Sequence, residues 1–88
     1  MYAVVVKVTV ADMDAAKSEL REQVVPMASS APGFVAGYWV ALSGDQGVSI
    51  VMLESESSAQ ALAANVTPPP GSPVTLESVE VGEVMAHA

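Results

Sequence analysis

Two neighbouring segments of the chain, residues 34–42 and 48–53, are apolar at nearly every position. Their sequences, FVAGYWVAL and VSIVML, are rich in β-branched or aromatic residues, and the short loop SGDQG separates them. This pattern indicates two strands of a hairpin. Strands that are apolar on both faces are typical of a sheet that is covered on both sides. The fold of this chain must therefore provide cover for two faces of one sheet.

The side chains of the first of these strands can be assigned to the two faces of the sheet, because successive side chains of a strand point to opposite faces. Alternation places Phe34, Tyr38 and Val40 on one face, opposite Val35, Trp39 and Ala41. A glycine inside a strand marks a bulge or a close approach to the backbone. We therefore expect one of these two features at Gly37.

Four further segments and a connector complete the chain. Residues 2–10, YAVVVKVTV, alternate with period two and predict a strand. Asp12 is a good N-cap for a following amphipathic helix, in which Pro26 predicts a kink or an early end. Ser55 can cap a short second helix, and the proline-rich residues 67–73 then lead into the last strand. Shifts in alternation there predict bulges near Ser78 and Gly82.

The resulting order, β-α-β-β-α-β, predicts an α+β fold. It favours a ferredoxin-like sandwich, in which a four-stranded antiparallel sheet carries both helices on one face. Residues 1–88 are expected to form a single domain. The second sheet face is left bare, and monomers rarely expose an apolar patch of that size. A second copy of the chain is the predicted cover, which makes the protein a homodimer, although a ligand lid or another protein would also serve.

Composition excludes several classes of function. The 88 residues include no cysteine and a single histidine, His87, so neither a disulfide nor a multi-histidine or thiolate metal site is expected. The net charge is −7 with only three lysines and arginines, which makes nucleic acid and anionic membranes poor partners. The apolar start of the chain is too short for a signal or a membrane span, so a cytoplasmic location is expected.

Three segments carry a resemblance to a known family: the opening YAVVVKVTV, the stretch APGFVAGYW after the first helix, and ESE at the start of the second helix. On these segments the chain resembles the dimeric α+β barrel proteins of the antibiotic-biosynthesis monooxygenase-like superfamily. The resemblance implies two sheets packed face to face into a barrel. It also implies a small apolar or aromatic ligand in the cavity between sheet and helices.

The superfamily is varied in activity. Some members oxygenate polycyclic aromatics without metal or flavin, some degrade heme, and others have no known reaction. The heme degraders resemble one another in an Asn, Trp and His set whose His lies on the second helix. This chain has Asn65 there and no histidine, which argues against heme degradation. Two classes stay open: a cofactor-independent monooxygenase-like oxidoreductase acting on an aromatic or quinone-like molecule, and a non-catalytic dimeric module that binds a small apolar ligand.

Four residues are candidates for catalysis, namely Tyr38, Trp39, Asn65 and His87. The two aromatics can stack a flat ring, and the Tyr38 hydroxyl can reach a phenol or quinone oxygen, but both also suit a core or an interface. Asn65 can orient a substrate oxygen or end the helix. His87 can act as a general base only if the loose chain end folds over a pocket. Tyr38, Trp39 and the adaptable Met52 are the candidate ligand contacts.

Lys7 lies in the middle of the first strand, on its mixed face. A buried lysine is costly unless it is paired. Pairing with Glu77, Glu80 or Glu83 of the last strand is the favoured prediction, and binding of an anionic ligand is the alternative.

Overall fold

The computed structural model describes residues 1–88. Its elements are β1 (Tyr2–Val10), α1 (Met13–Glu19), a π-helical segment (Leu20–Val24), α2 (Val25–Ser29), β2 (Phe34–Leu42), β3 (Gln46–Leu53), α3 (Glu56–Ala64) and β4 (Val74–Glu83). The three helical segments between β1 and β2 follow one another without a gap and form the first helix, and α3 is the second helix. The four strands form one antiparallel sheet in the order β2-β3-β1-β4. This is the predicted ferredoxin-like α+β architecture.

Strand β1 lies inside the sheet and has two different faces. Val4, Val6 and Val10 are buried on the face that packs against the helices, which we call the inner face. Lys7 is exposed on the opposite, outer face. The main hydrophobic core lies between the inner face and α3, and its buried members are Val4, Val6, Val51, Leu53, Ala59 and Leu62.

The pairing of β4 with β1 contains one bulge. The register shifts between Lys7 and Val8, which leaves Glu77 as an extra residue in β4. The bulge predicted near Ser78 is therefore confirmed. The second predicted bulge is wrong, because Gly82 pairs with Ala3 in unbroken register. The change in hydrophobic alternation at that point reflects the exposed end of an edge strand.

The pairing of β2 with β3 contains the other bulge, and it lies at Val35 and not at Gly37. The extra residue places the side chains before it on the opposite face from the one that simple alternation predicts. Phe34 consequently sits opposite Leu53 and packs against the core, whereas Tyr38 lies on the outer face opposite Ile50. The predicted placement of Phe34 on the same face as Tyr38 and Val40 is wrong for this reason.

Both helix starts are capped as predicted. The Asp12 carboxylate accepts from the backbone N–H of Ala15 at 3.1 Å, and the Ser55 hydroxyl accepts from that of Ser58 at 3.2 Å. The first helix does not end at Pro26 but continues to Ser29. Its irregularity lies one turn earlier. There the N–H of Val25 bonds to the carbonyl of Leu20, five residues back, which is the widened turn of a π-helix.

The outer face of the sheet remains uncovered within one chain. Tyr38, Val40 and Leu42 of β2 are 57%, 44% and 49% exposed, although all three are large and apolar. Only nine of the 88 residues are buried, all of them hydrophobic. One chain therefore completes half of the two-sided cover that its apolar strands require.

No helix is long and apolar enough to cross a lipid bilayer.

Candidate functional site

A cavity of about 230 Å³ lies between the inner face of the sheet and the first helix. The strands form its floor, the first helix forms its roof, and the start of the proline-rich connector closes one side. Its wall is mostly aliphatic and includes Val6, Val8, Leu20, Val24, Val51 and Leu76. The cavity thus lies between the sheet and the helices, where the family resemblance implies a ligand.

The first helix shapes this cavity through its irregular middle. Ala16 and Ala28 are buried on either side of the π-helical segment. Leu20 and Val24, which belong to that segment, both line the cavity. A π-helical turn carries one residue more than an α-helical turn, and such turns are frequent at functional sites. The segment therefore determines which side chains form the roof.

Trp39 is the predicted site residue that the structure places in the cavity wall. It lies on the inner face of β2, directly opposite Ser49 of β3. Its ring occupies the space above Gly37: a Cβ at that glycine would lie only 2.7 Å from Cη2 and 2.9 Å from Cζ3 of Trp39. The expected close approach at Gly37 is therefore made by an indole ring, and the glycine is needed to accommodate it.

Ser49 also lines the cavity, and sequence reasoning did not identify it. Its hydroxyl forms no hydrogen bond within the chain, and it is not sealed away from the cavity. The available signal was its position in VSIVML, where it shares the inner-face parity of Val51 and Leu53. A polar residue at a core-facing position of an apolar strand is informative because such groups usually have partners.

The remaining predicted residues lie elsewhere. Tyr38 and Met52 are on the outer face. Tyr38 pairs with Ile50, and Met52 pairs with Ala3 and Ala36, and paired residues point to the same face of the sheet. Asn65 is the C-cap of α3, where its Nδ2 donates to the carbonyl of Ala61 at 2.9 Å. It borders a surface groove beside Ser57 and Ser58, outside the inner cavity.

His87 follows the end of β4 and is exposed. The structure therefore does not bring the four catalytic candidates together, and Trp39 is the one that lines the inner cavity.

The side chain of Lys7 shows no ion pair within 4.0 Å. Glu77 instead accepts a hydrogen bond from the Thr9 hydroxyl at 2.6 Å. The bulge inserts Glu77 one residue along β4, between the partners of Lys7 and Val8. The pairing predicted for Lys7 therefore does not form within one chain.

Polar groups are few around the cavity. Besides Trp39 and Ser49, they are Lys17, Glu19 and Thr67. Lys17 and Thr67 are exposed and so belong to its rim. No three His, Asp or Glu side chains gather into a group that could hold a metal ion. Burial of apolar surface, with a few polar contacts to orient the molecule, is the chemistry that this lining can provide.

No family model matches the sequence, and a search of the curated proteins gives no match. Among solved structures, the chain is similar to the heme-degrader MhuD from Mycobacterium tuberculosis with two hemes bound in its active site. That comparison has a TM-score of 0.64 and 19% identity, and it covers 100% of this chain and 99% of MhuD.

A mutant of MhuD with two manganese protoporphyrin IX molecules bound per active site is also similar. The TM-score is 0.68 at 18% identity, over 100% of this chain and 98% of the other. At these identities the comparison establishes the fold alone. The chain has the ferredoxin-like α+β fold of MhuD, which confirms the fold predicted from the order of its strands and helices.

Proposed function

We propose that this chain is a small-molecule-binding protein of the monooxygenase-like type, which takes an aromatic or quinone-like molecule into the cavity beneath its first helix. The observation that carries the proposal is the cavity itself, with its aliphatic lining and the indole of Trp39 in its wall. Ligand sites are typically concave and mostly apolar, with a few polar groups that fix orientation. Trp39 offers a flat surface against which a planar ring can pack.

The volume of the cavity limits the size of the ligand. Sites for drug-sized molecules span about 300–1,000 Å³, and this cavity has about 230 Å³. Two or three fused rings suit that space, whereas a porphyrin is much larger. The chain also has no histidine on α3. Both observations support the prediction that its ligand differs from the heme that MhuD degrades.

The enzymatic form of the proposal is a reaction of the bound ring with dioxygen. In an anthrone-type substrate, a ring methylene loses two hydrogens. One oxygen atom becomes the new carbonyl oxygen, and the other leaves as water with those hydrogens. An apolar site that holds donors towards the developing oxyanion assists such a step. In this form of the proposal, the indole N–H of Trp39, a residue of the cavity wall, is the donor to that oxyanion.

The second candidate is binding without catalysis. It is favoured by one specific observation: the side chains that form the strand wall of the cavity include no acid or base. Proton removal from the substrate would then depend on solvent or on Glu19 of the first helix, whose carboxylate already accepts from the Ser72 hydroxyl.

Binding can be tested with the fluorescence of Trp39, because this is the only tryptophan in the chain. Titration with naphthoquinone should quench it in a saturable manner. Val24→Phe replaces a side chain that lines the cavity with a larger one. It should weaken the quenching, because less space is left for the ligand. Val25→Phe makes the same change at an exposed neighbour that does not line the cavity, and it should leave quenching unchanged. Equal quenching in both variants contradicts the proposed site.

Oxygen uptake separates the two candidates. With anthrone in buffer free of metal and flavin, the enzymatic form predicts uptake above the uncatalysed rate, and Val24→Phe should reduce it. Saturable binding of naphthoquinone without any added oxygen uptake would favour the binding module.

The homodimer is part of the same proposal. It is supported by the exposed apolar side chains of Tyr38, Val40 and Leu42 on the outer face. A two-fold related copy would bury this face twice, since both partners in a symmetric dimer use the same surface.

A further inference from the structure

We propose that Ser49 makes the cavity selective for ring systems that carry a hydroxyl, ketone or phenolate oxygen, and that it positions this oxygen beside Trp39. This inference rests on the proposed binding function. It goes further by assigning a specificity-determining residue and by naming the chemical group that the ligand must present.

Ser49 interrupts an otherwise apolar surface. It lies on β3, with Val6 of β1 on one side and Trp39 of β2 on the other. Two residues further along β3, Val51 occupies the equivalent inner-face position and belongs to the core. A valine or an alanine at position 49 would suit such surroundings better than a hydroxyl.

The hydroxyl of Ser49 has no partner in the protein. It neither donates nor accepts a hydrogen bond within the chain, yet it is accessible from the cavity. Removing a hydroxyl from water without giving it a partner is unfavourable. A purely apolar ligand that filled the cavity would exclude water from the Ser49 hydroxyl and leave it without a hydrogen-bond partner. A ligand with an oxygen facing Ser49 would satisfy it.

Trp39 is the cross-strand neighbour of Ser49, and its side chain also carries a polar atom, the indole N–H. Directly opposed residues of an antiparallel pair have Cβ atoms about 4.5–5.5 Å apart, and Trp39 and Ser49 are such a pair. The indole N–H can only donate, whereas a serine hydroxyl can both donate and accept. The two groups together are suited to an acceptor oxygen on the edge of a ring. A hydroxyl on the ring would use the acceptor capacity of Ser49.

This arrangement gives discrimination in one direction. A site whose polar group needs a ligand oxygen rejects the analogue that lacks it, because the group is then left unpaired. A neutral hydrogen bond contributes roughly a threefold to tenfold difference in affinity. The cavity should therefore prefer the oxygenated member of a pair of otherwise identical ring systems.

The experiment compares β-naphthol with naphthalene by NMR titration of the backbone amide signals. The unmodified chain should bind β-naphthol roughly threefold to tenfold more tightly than naphthalene. Ser49→Ala should remove this preference while it retains binding of naphthalene, and Ser49→Thr should restore it. Ser43→Ala, in the exposed hairpin loop, serves as the matched control and should keep the preference.

Thermal unfolding distinguishes selectivity from a structural role. Because the Ser49 hydroxyl has no partner in the chain, Ser49→Ala should melt at the same temperature as the unmodified protein or higher. A preference that persists in Ser49→Ala overturns the inference, as does a loss of both ligands together with a lower melting temperature. Failure of the unmodified chain to bind either probe would instead contradict the proposed binding function, and with it the role of Ser49.

Discussion

The hydroxyl of Ser72 lies 3.1 and 3.0 Å from the two carboxylate oxygens of Glu19. It also accepts the backbone N–H of Val74 at 3.1 Å. Glu19 ends α1, and Ser72 belongs to the connector between α3 and β4. The contact therefore ties the first helix to a segment whose prolines, Pro68 and Pro69, line the cavity.

Loss of this contact should loosen the connector. Ser72→Ala removes a charge-assisted hydrogen bond, and we expect it to lower the free energy of unfolding by about 1.5–3 kcal/mol. Urea denaturation measures this change. Naphthoquinone should also dissociate faster from the variant in stopped-flow fluorescence, because one side of the cavity is less firmly closed. Ser43→Ala, which removes an exposed hydroxyl with no partner in the hairpin loop, is the control. Unchanged stability and dissociation in Ser72→Ala would show that the contact does not hold the connector.

Gly37 should be intolerant of any side chain. A Cβ at this position would lie 2.7 Å from the Trp39 ring, so the ring has to move. Overpacking of this kind costs about 1–3 kcal/mol, and the displaced indole should also weaken naphthoquinone binding. Gly82→Ala is the matched control, because nothing lies within 4 Å of a Cβ there. Chemical denaturation and fluorescence titration test both effects, and equal behaviour of the two alanine variants would contradict this account of Gly37.

Tyr38→Glu should dissociate the homodimer. The substitution places a charge on the outer face, at a side chain that is 57% exposed in one chain and buried in the proposed dimer. Light scattering should give twice the 9.0 kDa chain mass for the unmodified protein and the single mass for the variant. Gln60→Glu adds a charge on the exposed side of α3 and should remain dimeric. A monodisperse species of 9.0 kDa from the unmodified protein would refute the dimer.

Two leucines allow the core and the outer face to be compared. Leu53 is fully buried, so Leu53→Ala should cost about 2–5 kcal/mol of stability at any protein concentration. Leu42 is 49% exposed in one chain. In a dimer, the stability lost in Leu42→Ala relative to the unmodified protein should be small in dilute solution and larger at concentrations where the unmodified protein is dimeric. Denaturation of both variants over a range of concentrations provides the measurement. A loss of stability in Leu42→Ala that is the same at every protein concentration would argue against burial of Leu42 in a dimer.

Asn65→Ala separates helix capping from ligand binding. The Asn65 side chain donates to the Ala61 carbonyl and lies outside the inner cavity. We expect a loss of about 0.5–1 kcal/mol in the free energy of unfolding and no change in affinity for naphthoquinone. Weaker binding with unaltered stability would instead assign Asn65 to the ligand site.

The local features of this chain were predictable from its sequence. Asp12 and Ser55 cap their helices because a capping hydrogen bond reaches only three residues along the chain. The order of strands and helices was also predictable, because the period of the hydrophobic residues can be read within each short segment of the sequence. The bulge at Val35 depends on how β2 pairs with β3, and alternation within one strand does not contain that information.

The candidate site was only partly predictable. An aromatic pair on one strand indicates that one ring faces inward, and the structure shows that this ring is Trp39. Ser49 becomes noticeable only when β3 is placed between Val6 and Trp39. The π-helical segment that supplies Leu20 and Val24 has no strong sequence signature, because its hydrogen bonds differ from those of an α-helix only in their span.

The bulge at Val35 also bears on how relatives of this chain should be aligned. Phe34 and Ala36 pair with the adjacent residues Leu53 and Met52, so Val35 is a one-residue insertion with no partner of its own. A homologue without this residue would keep every other side chain of the strand on its present face. It would match this sequence only with a gap at position 35. An ungapped alignment across that point would equate residues of opposite faces, and Trp39 would then be compared with the wrong ancestral position.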